Sequence, residues 1–287
     1  MSDSAQKMSP APSPTPVVDR QHRTIPFRPA EIDHRYGAGV HILADPLALT
    51  LLAKLCRRGT VQPEINRLVA ELYRSLLHAV IAAEFPRCAM TVETRMIDAT
   101  PAGVWTGEAI DLETPVVVVA LARAGLLPSQ IAYDLLNQLM DPARVRQDHL
   151  HLGRTVDTTG QVTGAGLNAA KIGGRIERAV MLIPDPMGAT GSTVTKVLSH
   201  YRAENLGDAA RIIAVHLIVT PEYLRHVQKH HPEVAVYSLR LDRGLSPPDV
   251  LESVPGERWA EERGLNEHQY IVPGAGGLGE IMNNSYV

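Results

Sequence analysis

One run constrains this chain more than any other: Val180-Met-Leu-Ile-Pro-Asp185-Pro-Met-Gly188-Ala-Thr-Gly191-Ser-Thr193. An apolar stretch of strand length ends in an acid, Asp185. A short loop with two glycines follows, and hydroxyl residues open a pattern that predicts a helix from Ser192 to Asn205. Strand, loop and helix in this order predict an α/β fold, and the loop suits an anion. Gly188 and Gly191 let backbone approach a ligand and take unusual dihedrals. The free N–H groups and positive dipole end of the helix start favour a phosphate, and Thr190, Ser192 and Thr193 add hydroxyl donors. Asp185 falls at the carboxyl end of a strand, where open α/β sheets bind ligands. A carboxylate there repels the phosphate but suits the hydroxyls of a sugar diol beside it; the plainer alternatives are a helix-capping acid and a turn that needs its glycines only for the turn. The common phosphate loop, Gly-x-x-x-x-Gly-Lys-Ser/Thr, is excluded, because the nearest lysine, Lys196, lies inside the helix.

The rest of the chain extends this unit into a doubly wound parallel sheet. Val116 to Leu121 is an unbroken, largely β-branched run, the pattern of a central parallel strand. It ends in Arg123-Ala-Gly125, ahead of a helix predicted from Pro128 to Leu139. Residues 145–152, Arg211–Thr220 and Val234–Leu241 read as strands, and Pro221–His230 as a helix. Such alternation requires right-handed crossovers. Two helices come first. Residues 43–58 carry Asp45 as cap and Pro46 at the first position. Residues 63–84 carry Ile65, Leu68, Val69, Leu72, Leu76, Leu77, Val80 and Ile81 at spacings of three and four, a single buried stripe. Thr91–Thr94 reads as a short strand. Arg154–Gly174, rich in Thr and Gly without a clean period, predicts a long loop serving as a flap or arm.

Residues 1–24 are rich in Ser, Pro, Ala and Gln and predict a disordered tail, leaving 25–287 as one domain. Aromatic residues are 4% of the chain, so the core is aliphatic. A formal net charge of −3 argues against general nucleic-acid binding. No apolar run reaches the length of a membrane span, and Cys56 and Cys88 have no metal spacing. A reducing, cytoplasmic setting is expected. Gly274-Ala-Gly276-Gly277-Leu-Gly279 matches the dinucleotide fingerprint Gly-x-Gly-x-x-Gly, but only eight residues follow it, too few for the helix, strand and acid required. His149 with His151, and His226 with His230, read as surface faces rather than metal ligands, since no third ligand follows at a fixed spacing.

The run Asp-Pro-Met-x-Ala-Thr-Gly-x-Ser/Thr resembles the phosphoribosyl pyrophosphate (PRPP) loop of type I phosphoribosyltransferases, in the version found in uracil phosphoribosyltransferases, where a proline (here Pro186) replaces the usual second acid. Val118–Gly125 is similar to that family's strand ending in Leu-Arg-Ala-Gly, and Tyr270–Gly274 to its Tyr-Ile-Val-Pro-Gly run. The resemblance spans residues 40–282 and implies a type I phosphoribosyltransferase fold with N-terminal helices and a small hood or arm. It implies transfer of phosphoribose from PRPP to N1 of uracil, giving UMP and pyrophosphate. By the same resemblance Arg123, and Arg154 in the arm, hold pyrophosphate. Asp185, Pro186, Met187, Gly188, Ala189, Thr190, Gly191, Ser192 and Thr193 bind the ribose diol and 5-phosphate, and Ile271, Gly276, Gly277 and Leu278 receive uracil. No residue is assigned as a catalytic acid, base or nucleophile, and no protein metal site is expected. Mg²⁺ carried with PRPP, a GTP effector and a homo-oligomer are further expectations of the resemblance. The chain departs from the family's Gly-x-Gly-Asp-Ala-Gly-Asp-Arg in two places that matter: Gly277 stands for the first Asp and Ile281 for the Arg. A PRPP- or nucleotide-binding regulator without uracil turnover, or a transferase for another base, is therefore the alternative.

Overall fold

A computed structural model describes residues 18–156 and 162–285. Residues 1–17 of the expected tail lie outside the described residues, as do residues 157–161 of the expected arm.

In chain order the strands are β1 (Val40–Ile42), β2 (Arg87–Glu93), β3 (Val104–Ile110), β4 (Val116–Ala122), β5 (Val145–Val156), β6 (Val162–Lys171), β7 (Val180–Pro184), β8 (Met187–Gly188), β9 (Arg211–Val219) and β10 (Val234–Leu241). The helices are α1 (Pro46–Cys56), α2 (Glu64–Glu84), α3 (Leu126–Leu139), α4 (Ser192–Ala203), α5 (Pro221–His230) and the single turns α6 (Pro248–Leu251) and α7 (Leu278–Ile281).

The chain divides into two compact units where one domain over 25–287 was expected. The smaller holds Pro86–Asp111 with residues 18–27. Its frame is the antiparallel pair β2–β3, on which Glu108 accepts from the Ile25 N–H at 2.8 Å and pairs with Arg87 at 3.2 Å. Arg20–His22 form one 3₁₀ turn capped by Asp19, so residues 18–24 carry structure the tail reading did not foresee.

The larger unit, Arg28–Phe85 and Leu112 onward, carries the main sheet in the order β1-β10-β9-β7-β4-β5-β6, with β8 continuing on β9 beyond the end of β7. All of its described pairings are parallel except β5–β6. β4 is central and buried on both faces, as its unbroken apolar run requires. Val117, Val119 and Leu121 of β4 join Met181 and Ile183 of β7 under Val194, Val197 and Leu198 of α4 and Leu224 and Val227 of α5. Because side chains alternate along a strand, the other face of β4 meets α3, which packs against the stripe of α2.

The arm differs from the sequence reading. Part of the stretch expected as a loop, Arg154–Gly174, is β6, which pairs antiparallel with the extended end of β5 to make a two-stranded arm. Backbone pairing needs no apolar period, and the Thr-, Ala- and Gly-rich composition supplies none. Beneath the arm Asp148, fully buried, accepts from the Tyr201 O–H at 2.6 Å, the Gly173 N–H at 2.9 Å and Arg146 at 3.1 Å. The root of the arm is thereby fixed to α4.

Candidate functional site

After β4 the chain moves outward to β5; after β7 it moves the other way, to β9 and β10. The boundary between β4 and β7 is therefore the topological switch point, where an open sheet leaves a crevice beyond its strand ends. Arg123 lies just past the end of β4, and Asp185 just past the end of β7. Gly125 brings these turns together. Its φ is −80°, so it is not glycine for backbone freedom; a Cβ there would stand 2.8 Å from the Pro184 carbonyl oxygen and 2.9 Å from that of Leu121.

The loop after Asp185 is laid on its neighbours. The Val215 carbonyl accepts the Asp185 N–H at 3.1 Å and the Tyr73 hydroxyl, also at 3.1 Å. The Pro186 carbonyl accepts from Leu217 and Ile218, and the Gly188 carbonyl from Thr220. The Thr220 hydroxyl donates to the Ala189 carbonyl at 2.6 Å. Pro186, Gly188 and Gly191 are buried, while Met187, Ala189, Thr190, Ser192 and Thr193 are half-buried. The two loop glycines serve different ends. Gly191 caps α4 with φ at 81°, a conformation that disfavours a side chain, and the only side chain on the first turn's N–H groups among the described residues is the Thr190 hydroxyl, 3.4 Å from the Ser192 N–H. The first turn of a helix has N–H groups without intrahelical partners, so this end of α4 offers donors to an anion. Gly188 gives room: a Cβ there would lie 2.9 Å from Val219, 3.2 Å from Tyr223 and 3.3 Å from His216.

His216 and Tyr223 form the floor, and the sequence did not announce them. His216, inside an apolar strand pattern, is 1% exposed. Its Nδ1 lies 2.5 Å from the Asp185 carbonyl oxygen and its Nε2 2.6 Å from the Tyr223 hydroxyl. A carbonyl only accepts, so Nδ1 carries the proton. Burial pushes the imidazole pKa down to about 4, against the hydrogen bond to Asp185. The ring is thus neutral and Nε2 accepts the Tyr223 O–H. One signal was available: His216 interrupts the apolar run Ile212–Val219 at a position whose alternation points it inward.

A cavity of about 60 Å³ lies between this floor and the loop, bounded by Asp185, Thr190, Gly191, Thr193, His216 and Tyr223. At roughly 30 Å³ per water it has room for about two water-sized groups. Burial pushes the Asp185 carboxyl up to about 6, and the Met187 N–H at 3.4 Å opposes this only weakly. At neutral pH the group is ionised and accepts hydrogen bonds without donating them, as a sugar diol requires.

The segment from Tyr270 is positioned by residues the sequence reading also passed over. Asp242, buried at the end of β10, accepts the Gly274 N–H at 2.7 Å. Arg240 grips both Asp242 oxygens, at 2.6 and 2.8 Å, and donates to the Gly274 carbonyl at 3.1 Å. Gly274 and Gly276 have φ of 64° and 70°. Ile271 and Leu278 are buried, and Leu278 N–H closes on the Gly276 carbonyl. From the start of α2, Gln62 and Asn66 donate to the Met282 carbonyl at 2.8 and 3.3 Å. Gly279 lies against Ala124, so α7 borders the Arg123 turn. Arg123 is exposed and paired with Glu280. Arg154 lies in the arm strand β5, but its side chain is outside the described residues. Among the described residues no cluster of three or more His, Cys, Asp or Glu could hold a metal, and no helix is long and apolar enough to cross a membrane.

With this geometry established, known proteins can be set beside it. Residues 42–256 match the family described as uracil phosphoribosyltransferase. A uracil phosphoribosyltransferase of Dictyoglomus thermophilum is 27% identical over 243 residues, covering 85% of this chain and 98% of the relative. One from an Acidovorax species is also 27% identical over 243 residues, covering 85% and 97%. One from Bacillus licheniformis is 30% identical over 184 residues, covering 61% and 74%. Among solved structures, the AQ2163 protein of Aquifex aeolicus superposes with a TM-score of 0.63 at 20% identity, covering 86% of this chain and 99% of the other. It shares the fold.

Proposed function

The chain belongs to the uracil phosphoribosyltransferase family, and we propose that its reaction is transfer of the phosphoribosyl group from PRPP to N1 of uracil, giving UMP and pyrophosphate. It is a pentosyl-transferring enzyme of pyrimidine salvage whose substrates are small molecules. One observation carries the assignment of the site. An acid at the switch point, Asp185, is followed directly by the uncapped start of α4, so a diol acceptor and a phosphate cradle sit side by side.

Asp185 accepts the ribose hydroxyls, and the loop from Pro186 to Thr193 cradles the 5-phosphate with backbone N–H groups and hydroxyls. Arg123, and Arg154 from the arm, offer planar forks suited to pyrophosphate oxygens. Ile271, Gly276, Gly277 and Leu278 frame the base, whose O2, N3–H and O4 edge is an acceptor–donor–acceptor pattern that a backbone stretch can mirror. No covalent nucleophile is needed, since the barrier is departure of pyrophosphate with positive charge growing on the ribose. Fixed donors on the leaving group lower that barrier electrostatically. Mg²⁺, when carried in on PRPP, supplies further charge neutralisation on the pyrophosphate. The site fits such an ion, because Mg²⁺ favours one or two carboxylates together with substrate oxygens over an all-protein cage, and Asp185 is ionised above about pH 6.

A homo-oligomer, a GTP effector and a cytoplasmic setting complete the proposal. Leu47, 69% exposed, and Leu49 on α1 support the first. A UMP-formation assay with PRPP, Mg²⁺ and each nucleobase in turn tests the function. Turnover with uracil is expected; PRPP binding without turnover on any base would replace the enzyme with a sensor, and turnover on another base alone would reassign the acceptor.

A further inference from the structure

We propose that Glu280 sets the affinity for PRPP by competing for Arg123 as an internal anion, and that residue 277 is glycine so that it can. The proposal rests on the reading of Arg123 as a pyrophosphate-binding residue.

The chain already presents oxygens to the Arg123 fork. Glu280 Oε1 stands 3.7 Å from Nη2, and Nη1 donates to the Ser285 carbonyl and hydroxyl at 3.3 and 3.2 Å. A carboxylate with two neutral oxygens satisfies the guanidinium in the way a phosphate group would. The contact is not accidental crowding at a chain end, because α7 is anchored. Gln62 and Asn66 hold its last turn, and Gly279 rests on Ala124, the residue after Arg123.

Gly277 supplies the second, independent observation. Its φ is −79°, which any residue tolerates, so its backbone does not ask for glycine. Space does: a Cβ there would lie 1.8 Å from Glu280 Oε2. The volume that a side chain at 277 would enter is filled by the Glu280 carboxylate. Any larger residue at 277 therefore moves Glu280, the far end of a flexible side chain. Gly277 and Glu280 form one arrangement, in which the carboxylate at 280 enters the space a side chain at 277 would take and so faces Arg123.

Because Arg123 and Glu280 are 44% and 26% exposed, the pair is reversible and weak. Pyrophosphate, with several charges, displaces Glu280 but meets its repulsion. Removing the charge relieves that repulsion and frees the fork.

The test is PRPP affinity by calorimetry and steady-state KM in Glu280→Gln, Gly277→Ala, their combination, Glu280→Asp and Arg123→Ala, each checked for native melting. Glu280→Gln is expected to tighten PRPP roughly two- to fivefold, with the effect on KM for PRPP rather than kcat. Gly277→Ala, read by calorimetric PRPP affinity alone because residue 277 also borders the base, is expected to tighten PRPP similarly, the double variant no more than either single one, and Glu280→Asp to stay closer to the parent. If Arg123→Ala weakens PRPP while Glu280→Gln leaves it unchanged or weaker, the competition is overturned and the site reading stands. If Arg123→Ala has no effect, the pyrophosphate role falls and takes the proposal with it.

Discussion

The loop after β7 rests on buried neighbours from the next strand and helix, whereas the segment from Tyr270 to Ser285 is tied down from afar, by Asp242, Arg240, Gln62 and Asn66. In the first, main-chain carbonyls of Pro186, Gly188 and Ala189 are taken by β9 and Thr220, so the path of the loop is set by bonds to its own backbone. In the second, the fastening is by side chains, the buried Asp242 and the partly exposed Arg240, Gln62 and Asn66. The segment proposed to receive sugar phosphate is thus fixed by backbone geometry, and the segment proposed to receive the base carries Gly277 and Ile281 while the fold persists.

The contrast can be broken at three points. Asp185→Asn is expected to have the largest effect, lowering kcat/KM for PRPP roughly 100-fold, since hydrogen bonds to a charged group contribute about 1.5–3 kcal/mol each. Its pH dependence has a definite sign. The folded pKa, about 6, exceeds the ordinary carboxylate value of 3.8. Stability from the protonated form is therefore complete below 3.8 and lost as pH rises through about 6. Without substrate, the Asn variant should melt higher than the parent at pH 8 and lose that advantage toward pH 4. With substrate the trend reverses in the parent: KM for PRPP rises as pH falls through about 6, because the protonated group gives up an acceptor. A flat KM profile would remove Asp185 from the diol.

His216→Leu is expected next. It leaves the Tyr223 hydroxyl and the Asp185 carbonyl buried without their partner, costing about 2–4 kcal/mol in urea unfolding. KM for PRPP should rise about tenfold, while KM for uracil moves less. Equal changes in both would mean the floor serves the fold alone. The smallest effect is expected from Asp242→Ala, which unpins Gly274. KM for uracil should rise about fivefold with PRPP affinity nearly unmoved; a larger shift for PRPP than for uracil would erase the distinction between the two halves.

What could be read in advance follows the same division. The strand–loop–helix unit around Asp185, β4, the stripe of α2 and the parallel sheet were legible because each is a local pattern: a glycine spacing, a β-branched run, a helical period. β1 and β3 were missed, the one because three residues carry no period, the other because Val104–Ile110 mixes Trp, Thr, Gly and Glu in the smaller unit. His216, Tyr223 and Asp242 were missed for a different reason: only the folded sheet brings them to the loop and the segment they support. The place of Glu280 was not legible because only the folded α7 turns its carboxylate into the space beside Gly277.

The grip of Ser285 on Arg123 bears on how the protein should be handled at the bench. A fusion or label introduced near Ser285 would lie against a contact to Arg123, and kinetics measured on such a protein would report the addition as well as the chain.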